Sequence, residues 1–185
     1  ILLLLIVIII NMFSTMLHIP LGAYQIEILQ KLGNVFYQYV PLTLSTYCSV
    51  TSRISCQVLS AFDIEAKLVP CQMWYVTATN NFVIGFLGNQ QPGKWDGHVI
   101  CVAGDCFIDA ATHHFNKEFG LEVPKVIVSK VFNLHTQVIS RVDLDDQSKL
   151  WWHEPPSGID ISPPIEPQEL IDQYASVLIK AINKK

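Results

Sequence analysis

The chain has 185 residues, of which 50% are hydrophobic and 15% are charged, and its formal net charge at pH 7 is -4. This length fits a single domain with one substantial core. The 12 lysines and arginines leave no basic stripe, so we do not expect nucleic acid as a partner. The five cysteines are an odd number without the spacing of a secreted disulfide framework, which favours a reducing, cytoplasmic compartment.

The start of the chain complicates that expectation. Residues 1–10 are all apolar, but a spanning helix needs roughly 20 such residues, and a signal peptide has a basic region before its apolar stretch. Three interpretations stay open: a fragment or an overextended reading frame that truly starts at Met12 or Met16, a truncated signal or membrane anchor that would export or attach the protein, or a buried element. We therefore set apart residues 1–20 as an apolar N-terminal segment of uncertain status and expect one domain over residues 21–185.

Two helices are predicted next. In residues 26–39 the apolar positions recur mostly at steps of three and four, as on one face of a helix, and Pro41 bars an easy continuation. The following stretch offers Ser45 or Thr46 as an N-cap and apolar positions spaced for burial. A second helix would therefore begin just before Cys48.

The middle of the chain is typical of β-strands. Stretches rich in Val, Ile, Trp and Tyr cover residues 66–78, 97–103, 105–110 and 124–132. Helices followed by a run of neighbouring strands predict an α+β domain with an antiparallel sheet. Residues 151–167 contain five prolines and are expected to form a loop, after which Pro167 suits the first turn of a last helix.

His98 and Asp109 stand on either side of a predicted hairpin turn. A two-residue loop at Ala103-Gly104 would set the two residues opposite each other on one face, with their Cβ atoms about 5 Å apart. A loop at Gly104-Asp105 would instead set His98 opposite Ala111 and leave Asp109 on the diagonal, still within reach. In either register the imidazole can meet the carboxylate.

Such a pair suggests nucleophilic catalysis. A carboxylate that accepts an imidazole N–H fixes the tautomer and leaves the other nitrogen free to take a proton from a nucleophile. Cys48 is the best-placed nucleophile, because the N–H groups and the positive dipole end of a helix N-terminus favour a thiolate and could form an oxyanion hole. Taken singly, a His in a strand or a Cys in a helix is more often a packing residue.

The sequence around these three residues resembles the transglutaminase-like superfamily, which includes the arylamine N-acetyltransferases and has a papain-like cysteine-proteinase fold. Residues 47–69 resemble its nucleophile helix and the strand that follows, and residues 97–112 are similar to its His and Asp strands, with the same chain order of Cys, His and Asp. The match implies an α+β core in which the nucleophile helix packs on an antiparallel β-sheet. Phe62-Asp63, where the family usually has Leu-Gly, is a departure.

The resemblance implies thiol-dependent acyl transfer or amide hydrolysis. Cys48 would attack an acyl carbon, His98 would shuttle the proton and Asp109 would orient His98, with release of a thioester intermediate to water or an amine. The substrate would be a peptide, an amide or a small acyl compound, and no cofactor is expected. Two alternatives stay open: acetyltransferase-like use of an acyl carrier, and a non-catalytic binding or structural module with a vestigial triad.

Several further side chains are candidates for minor roles. Gln38, as an upstream polar residue, is a candidate for completing the oxyanion hole, and Trp151 and Trp152 are candidates for a pocket mouth or lid, although aromatic pairs usually pack. The first hairpin register would also pair Cys101 with Cys106, as core residues or a cross-strand disulfide. We expect no metal, because zinc spacing is not met by the four candidates Cys101, Cys106, His113 and His114.

Overall fold

The computed structural model of the chain describes residues 20–88, 95–132, 137–144 and 147–184. Most of the apolar N-terminal segment therefore lies outside the described residues. The helices are α1 (Ala23–Tyr39), α2 (Cys48–Ser60), α3 (His114–Phe119) and α4 (Gln168–Asn183), with a 3₁₀ turn at Leu42–Leu44. The strands are β1 (Lys67–Val76), β2 (Asn81–Ile84), β3 (His98–Ala103), β4 (Cys106–Asp109), β5 (Ile127–Lys130), β6 (Val138–Asp143) and β7 (Lys149–His153). None of the described helices has both the length and the apolar character needed to cross a bilayer.

The described strands form one sheet in which every pairing is antiparallel. Its order is β5-β4-β3-β1-β7-β6, with β2 also paired to β1. The long strand β1 joins the two halves, because Lys67–Cys71 pair with β3 while its later residues pair with β2 and β7. The predicted α+β class with an antiparallel sheet is confirmed.

Apolar periodicity accounts for the two helices next to the candidate site. Helix α1 buries the predicted face, and helix α2 begins close to the predicted position. The predicted N-cap of α2 is wrong: Tyr47 occupies that position without a side-chain cap, and the Ser45 hydroxyl donates to the Leu42 carbonyl at 2.6 Å instead. The Ser45 hydroxyl is engaged within the 3₁₀ turn before α2, so the first N–H groups of the helix have no side-chain cap.

Two apolar cores lie on the sheet, one formed with the helices and one formed largely by the strands. The first contains α1, α2 and α4 residues together with Cys101, Ala103, Cys106 and Ile108. The second contains Ile100, Val102, Phe107 and Trp152, with Phe115 of α3. Strand β3 therefore alternates between the two cores, and each large side chain buried this way contributes about 1.5–3 kcal/mol.

Strands β2, β6 and β7 were not predicted, and β7 corrects the expected loop. Residues 149–153 pair with β1 on one side and β6 on the other, so Trp151 and Trp152 belong to the sheet rather than to the proline-rich segment. Residues 154–167 contain no helix or strand, and the Pro164 carbonyl accepts hydrogen bonds from Ser49 and Arg53 of α2. Pairing with β1 supplies hydrogen bonds to the backbone of residues 149–153. The neighbouring prolines made this strand hard to recognise from the sequence.

Candidate active site between helix α2 and strands β3 and β4

The β3–β4 hairpin turns at Gly104-Asp105. Its Cα partners are Cys101 with Ile108 and Ala103 with Cys106, so the second predicted register is the observed one and the first is wrong. The paired cysteines predicted from the first register are wrong as well, although both are buried in the helix-side core. Gly104 has φ 52°, a left-handed conformation that glycine adopts without steric cost.

His98 and Asp109 meet across this hairpin despite the diagonal register. The His98 Nε2 atom lies 2.7 Å from Asp109 Oδ2, and both side chains are fully buried. Asp109 accepts two further hydrogen bonds, from the Trp152 indole nitrogen to Oδ2 at 2.8 Å and from the Ala111 backbone to Oδ1 at 2.9 Å. Burial acts to raise the pKa of Asp109, but the charge and hydrogen bond of His98, with the other two donors, lower it below its usual value.

Cys48 is the first residue of α2 and packs against the start of β3. It shares a small apolar cluster with Val99 and Ala111, and its Sγ donates to the Gly97 carbonyl over 3.7 Å. The Ser52 hydroxyl, one turn later, donates to the Val99 carbonyl at 2.9 Å and fastens this end of the helix to the strand. Only 7% of the Cys48 surface is exposed.

The protonation of His98 reflects both neighbours. Burial acts to lower the pKa of His98, but the charge and hydrogen bond of Asp109, followed by the adjacent Cys48, raise it to about 10. One ring nitrogen is thus held by the carboxylate. The other, Nδ1, is buried and has no hydrogen-bond partner among the described residues, and the Cys48 thiol donates to Gly97. The structure therefore brings together Cys48, His98 and Asp109, and the raised pKa of His98 means that its unpartnered Nδ1 carries a proton at neutral pH.

Two residues outside the predicted set shape this site. Gly85 has φ 92°, and a Cβ added there would lie 2.8 Å from the His98 backbone nitrogen and 3.0 Å from the His98 Cβ. The Trp95 ring packs on Gly97, too closely for a side chain at that position, and against the cluster that contains Cys48. Its indole nitrogen is buried without a partner in the described part of the chain.

Gln38 and Trp152 make contacts that do not match the roles predicted for them, and the lid role of Trp151 stays a prediction. Gln38 is exposed, and its amide nitrogen donates to the Asn34 carbonyl at 2.9 Å on the same helix, so it does not supply the predicted oxyanion contact. Trp152 is fully buried and holds the Asp109 carboxylate, so the lid prediction is wrong for this residue. Trp151 is half-buried and stacks on His153, with ring centroids 5.8 Å apart.

The contact between Trp152 and Asp109 had no local signal in the sequence. The two residues are separated by 43 positions, and they meet because β7 pairs with β1 and β1 pairs with β3. Tyr37 of α1 was missed for the same reason. Its hydroxyl donates to the carbonyl of Ala110, the residue that follows Asp109. Burial and then the charge of Asp109 raise the pKa of Tyr37 above its usual value.

The described residues contain no cluster of side chains suited to a metal ion. No group of three or more His, Cys, Asp or Glu side chains there is arranged to hold an ion. Cys101 and Cys106 lie in the helix-side core. His113 and His114 lie at the start of α3, where His113 is the N-cap residue.

Comparison with known proteins gives little guidance. No family model matches the chain, and no curated protein matches it. One solved structure, a crystal structure described only as a genomics target, covers 91% of this chain with 82% of its own length, at 15% identity and a TM-score of 0.41. At that score the likeness supports no conclusion about fold or function.

Proposed function

We propose that the chain is a thiol-dependent acyltransferase or amide hydrolase of the transglutaminase-like superfamily, built on a papain-like cysteine-proteinase core. The observation that supports this most directly is the buried imidazole of His98. One of its nitrogens contacts Asp109 at 2.7 Å, and the other is unpartnered among the described residues beside the Cys48 thiol. A thiol, an imidazole and a carboxylate in this order are the components of nucleophilic acyl transfer.

The proposed chemistry has two stages. The Cys48 thiolate attacks the acyl carbon while His98 holds the proton, and His98 then gives that proton to the departing amine. The thioester that remains is attacked by water in a hydrolase or by an amine in a transferase, with His98 accepting the proton of the attacking group while the carbon–sulfur bond breaks and Cys48 leaves as the thiolate. Asp109 keeps the imidazole oriented and stabilises its cationic form.

Two sets of donors are suited to the oxyanion that forms during attack. The first N–H groups of α2 adjoin Cys48 and receive no side-chain cap at Tyr47. The Trp95 indole N–H, buried without a partner in the described ranges, belongs to a ring that packs against the same cluster as Cys48. These groups take the role that the sequence suggested for Gln38.

A non-catalytic binding or structural module is the second candidate, and the enclosure of the site favours it. Cys48 is 7% exposed, and both His98 and Asp109 have no exposed surface. In such a module the three residues would form a buried polar group that holds α2 against the hairpin. Acetyltransferase-like use of an acyl carrier is a variant of the first proposal, separated from hydrolysis by turnover of an acyl-coenzyme.

The test is the pH dependence of iodoacetamide labelling, mapped by mass spectrometry over all five cysteines. The comparison uses the native protein, His98→Ala and the control His153→Ala. We expect Cys48 to be alkylated at least ~10-fold faster than the other cysteines at pH 6, where an ordinary thiol of pKa about 8.5 is mostly protonated. The advantage should vanish in His98→Ala and persist in His153→Ala. If Cys48 reacts like the other cysteines, or resists at every pH, the binding module becomes the better description.

A further inference from the structure

A pair of neighbouring thiols lies on the helix side of the sheet, away from the imidazole. The Sγ atoms of Cys56 on α2 and Cys101 on β3 are 3.2 Å apart, and both thiols are free. Cys56 is partly exposed, whereas Cys101 has no exposed surface. A disulfide needs the sulfurs at about 2.05 Å, so an approach of roughly 1 Å would join them.

A surface groove leads to this pair. It has a volume of about 350 Å³, and Cys56 lies in its wall between the second half of α2, the start of β1 and the start of α4. Two cationic side chains, Arg53 and Lys67, line the groove, and the described residues that line it include no carboxylate. Asp172 lies beside it, with its Oδ1 accepting hydrogen bonds from the amides of Gln57 and Gln168.

We propose that Cys56 and Cys101 form a dithiol modification site that is oxidised to a disulfide by a small, carboxylate-bearing disulfide bound in this groove. The cations favour an anionic compound, and the groove volume lies within the range of small-molecule sites. The partly exposed thiol is the one that such a compound can reach. The inference does not rest on the proposed acyl-transfer activity.

The reaction proceeds by two exchanges. The Cys56 sulfur attacks the bound disulfide, forms a mixed disulfide and releases the first half as a thiol, which carries the proton lost by Cys56. The Cys101 sulfur then attacks the Cys56 sulfur, and the second half leaves as a thiol with the Cys101 proton. The protein loses two protons and two electrons, and the compound is reduced to two thiols.

The order of attack follows from burial. Burial, followed by the adjacent Cys56, raises the pKa of Cys101 well above that of an ordinary thiol, so this residue is a poor first nucleophile. Its short distance to Cys56 suits it to the second, intramolecular step. The product would tie α2 to β3, the two elements that carry Cys48 and His98.

The test uses the full chain carrying Cys48→Ser, so that the proposed nucleophile takes no part in the result. The protein is incubated with oxidised glutathione, and disulfides are mapped by mass spectrometry after alkylation. We expect a loss of two hydrogens and a crosslinked Cys56–Cys101 peptide. Adding Cys101→Ser should stop the reaction at a glutathione adduct on Cys56, and adding Cys56→Ser should prevent both products. The matched controls Cys71→Ser and Cys106→Ser should leave the crosslink unchanged.

A second comparison tests the groove. Lys67→Gln should slow the reaction of Cys56 with oxidised glutathione about two- to fivefold, as expected for one exposed charge, and Lys31→Gln on α1 should not. With the neutral hydroxyethyl disulfide, Lys67→Gln should react like the parent. A persistent mixed disulfide in the parent, a crosslink through another cysteine, or no reaction would each overturn the dithiol site. Equal rates for Lys67→Gln and its parent with oxidised glutathione would overturn the anionic preference.

Discussion

Trp152 donates its indole N–H to Asp109 over 2.8 Å, and the oxygen that accepts it, Oδ2, is also the one that contacts His98. A tryptophan of β7 thus fixes the carboxylate that fixes the imidazole. Because both residues are fully buried, no solvent can replace the bond when it is lost. Trp152 is therefore a positioning residue of the proposed site.

Replacing this donor should destabilise the protein and raise the pH at which acid unfolding begins. Trp152→Phe keeps an aromatic ring but removes the N–H, which should cost about 1.5–3 kcal/mol for a bond to a charged acceptor, plus a smaller packing loss. With one donor fewer, the pKa of Asp109 rises, so acid unfolding should begin at a higher pH. Urea unfolding at several pH values measures both effects.

Trp151→Phe is the matched control on the same strand. The indole nitrogen of Trp151 has no partner among the described residues, so its removal should leave the pH at which acid unfolding begins unchanged. If Trp152→Phe and Trp151→Phe shift the onset of acid unfolding to the same pH, the positioning role of Trp152 is refuted.

The buried pair should also give stability a pH dependence of known sign. His98 has a raised pKa of about 10 in the folded protein against an ordinary value of 6.5, so its stabilising contribution is complete below pH 6.5 and is lost as the pH rises toward 10. Asp109 has a lowered pKa, so its contribution is present above the ordinary value of 3.8 and is lost as the pH falls through its folded pKa. The pair therefore contributes most between these two ordinary values.

The urea midpoint of the native protein, measured from pH 5 to 10 and compared with His98→Gln, isolates this contribution. The difference between the two proteins should shrink steadily above pH 6.5. A difference that stays constant up to pH 10 would show that His98 is not held in its protonated form by Asp109.

Gly85 and Gly88 offer a matched pair for testing how tightly the His98 backbone is packed. Both have a positive φ, 92° and 77°, so alanine at either position should cost roughly 1–2 kcal/mol of backbone strain. Only at Gly85 would the new Cβ also overlap the His98 backbone, because no described residue beyond its chain neighbours lies within 4 Å of a Cβ at Gly88.

Gly85→Ala should therefore be clearly less stable than Gly88→Ala and should slow the alkylation of Cys48, since His98 has to move. Urea unfolding and the labelling assay measure the two consequences. Equal losses at the two positions would mean that backbone strain alone matters there.

Local patterns carried much of the fold. Apolar residues at steps of three and four identified α1, and the β-rich stretches identified β1, β3, β4 and β5. The start of α2 was predicted close to Cys48, although through a serine or threonine N-cap that the structure does not use. These features depend on residues that are neighbours in the chain, where periodicity and turn chemistry act directly. Strands β2, β6 and β7 were missed, because short strands are stabilised by the partners with which they pair, and β7 also adjoins the proline-rich segment.

For the candidate site, the sequence by itself determined which residues could meet: the Cys at a helix start, and the His and Asp within one hairpin. Two registers were equally consistent with the turn residues, and only the sheet selected Gly104-Asp105. The tertiary structure alone also decided the contact of Trp152 with Asp109 and the approach of Cys56 to Cys101. Such contacts join distant parts of the chain, and they depend on which strands pair and how the helices pack on them, which no local pattern of residues encodes.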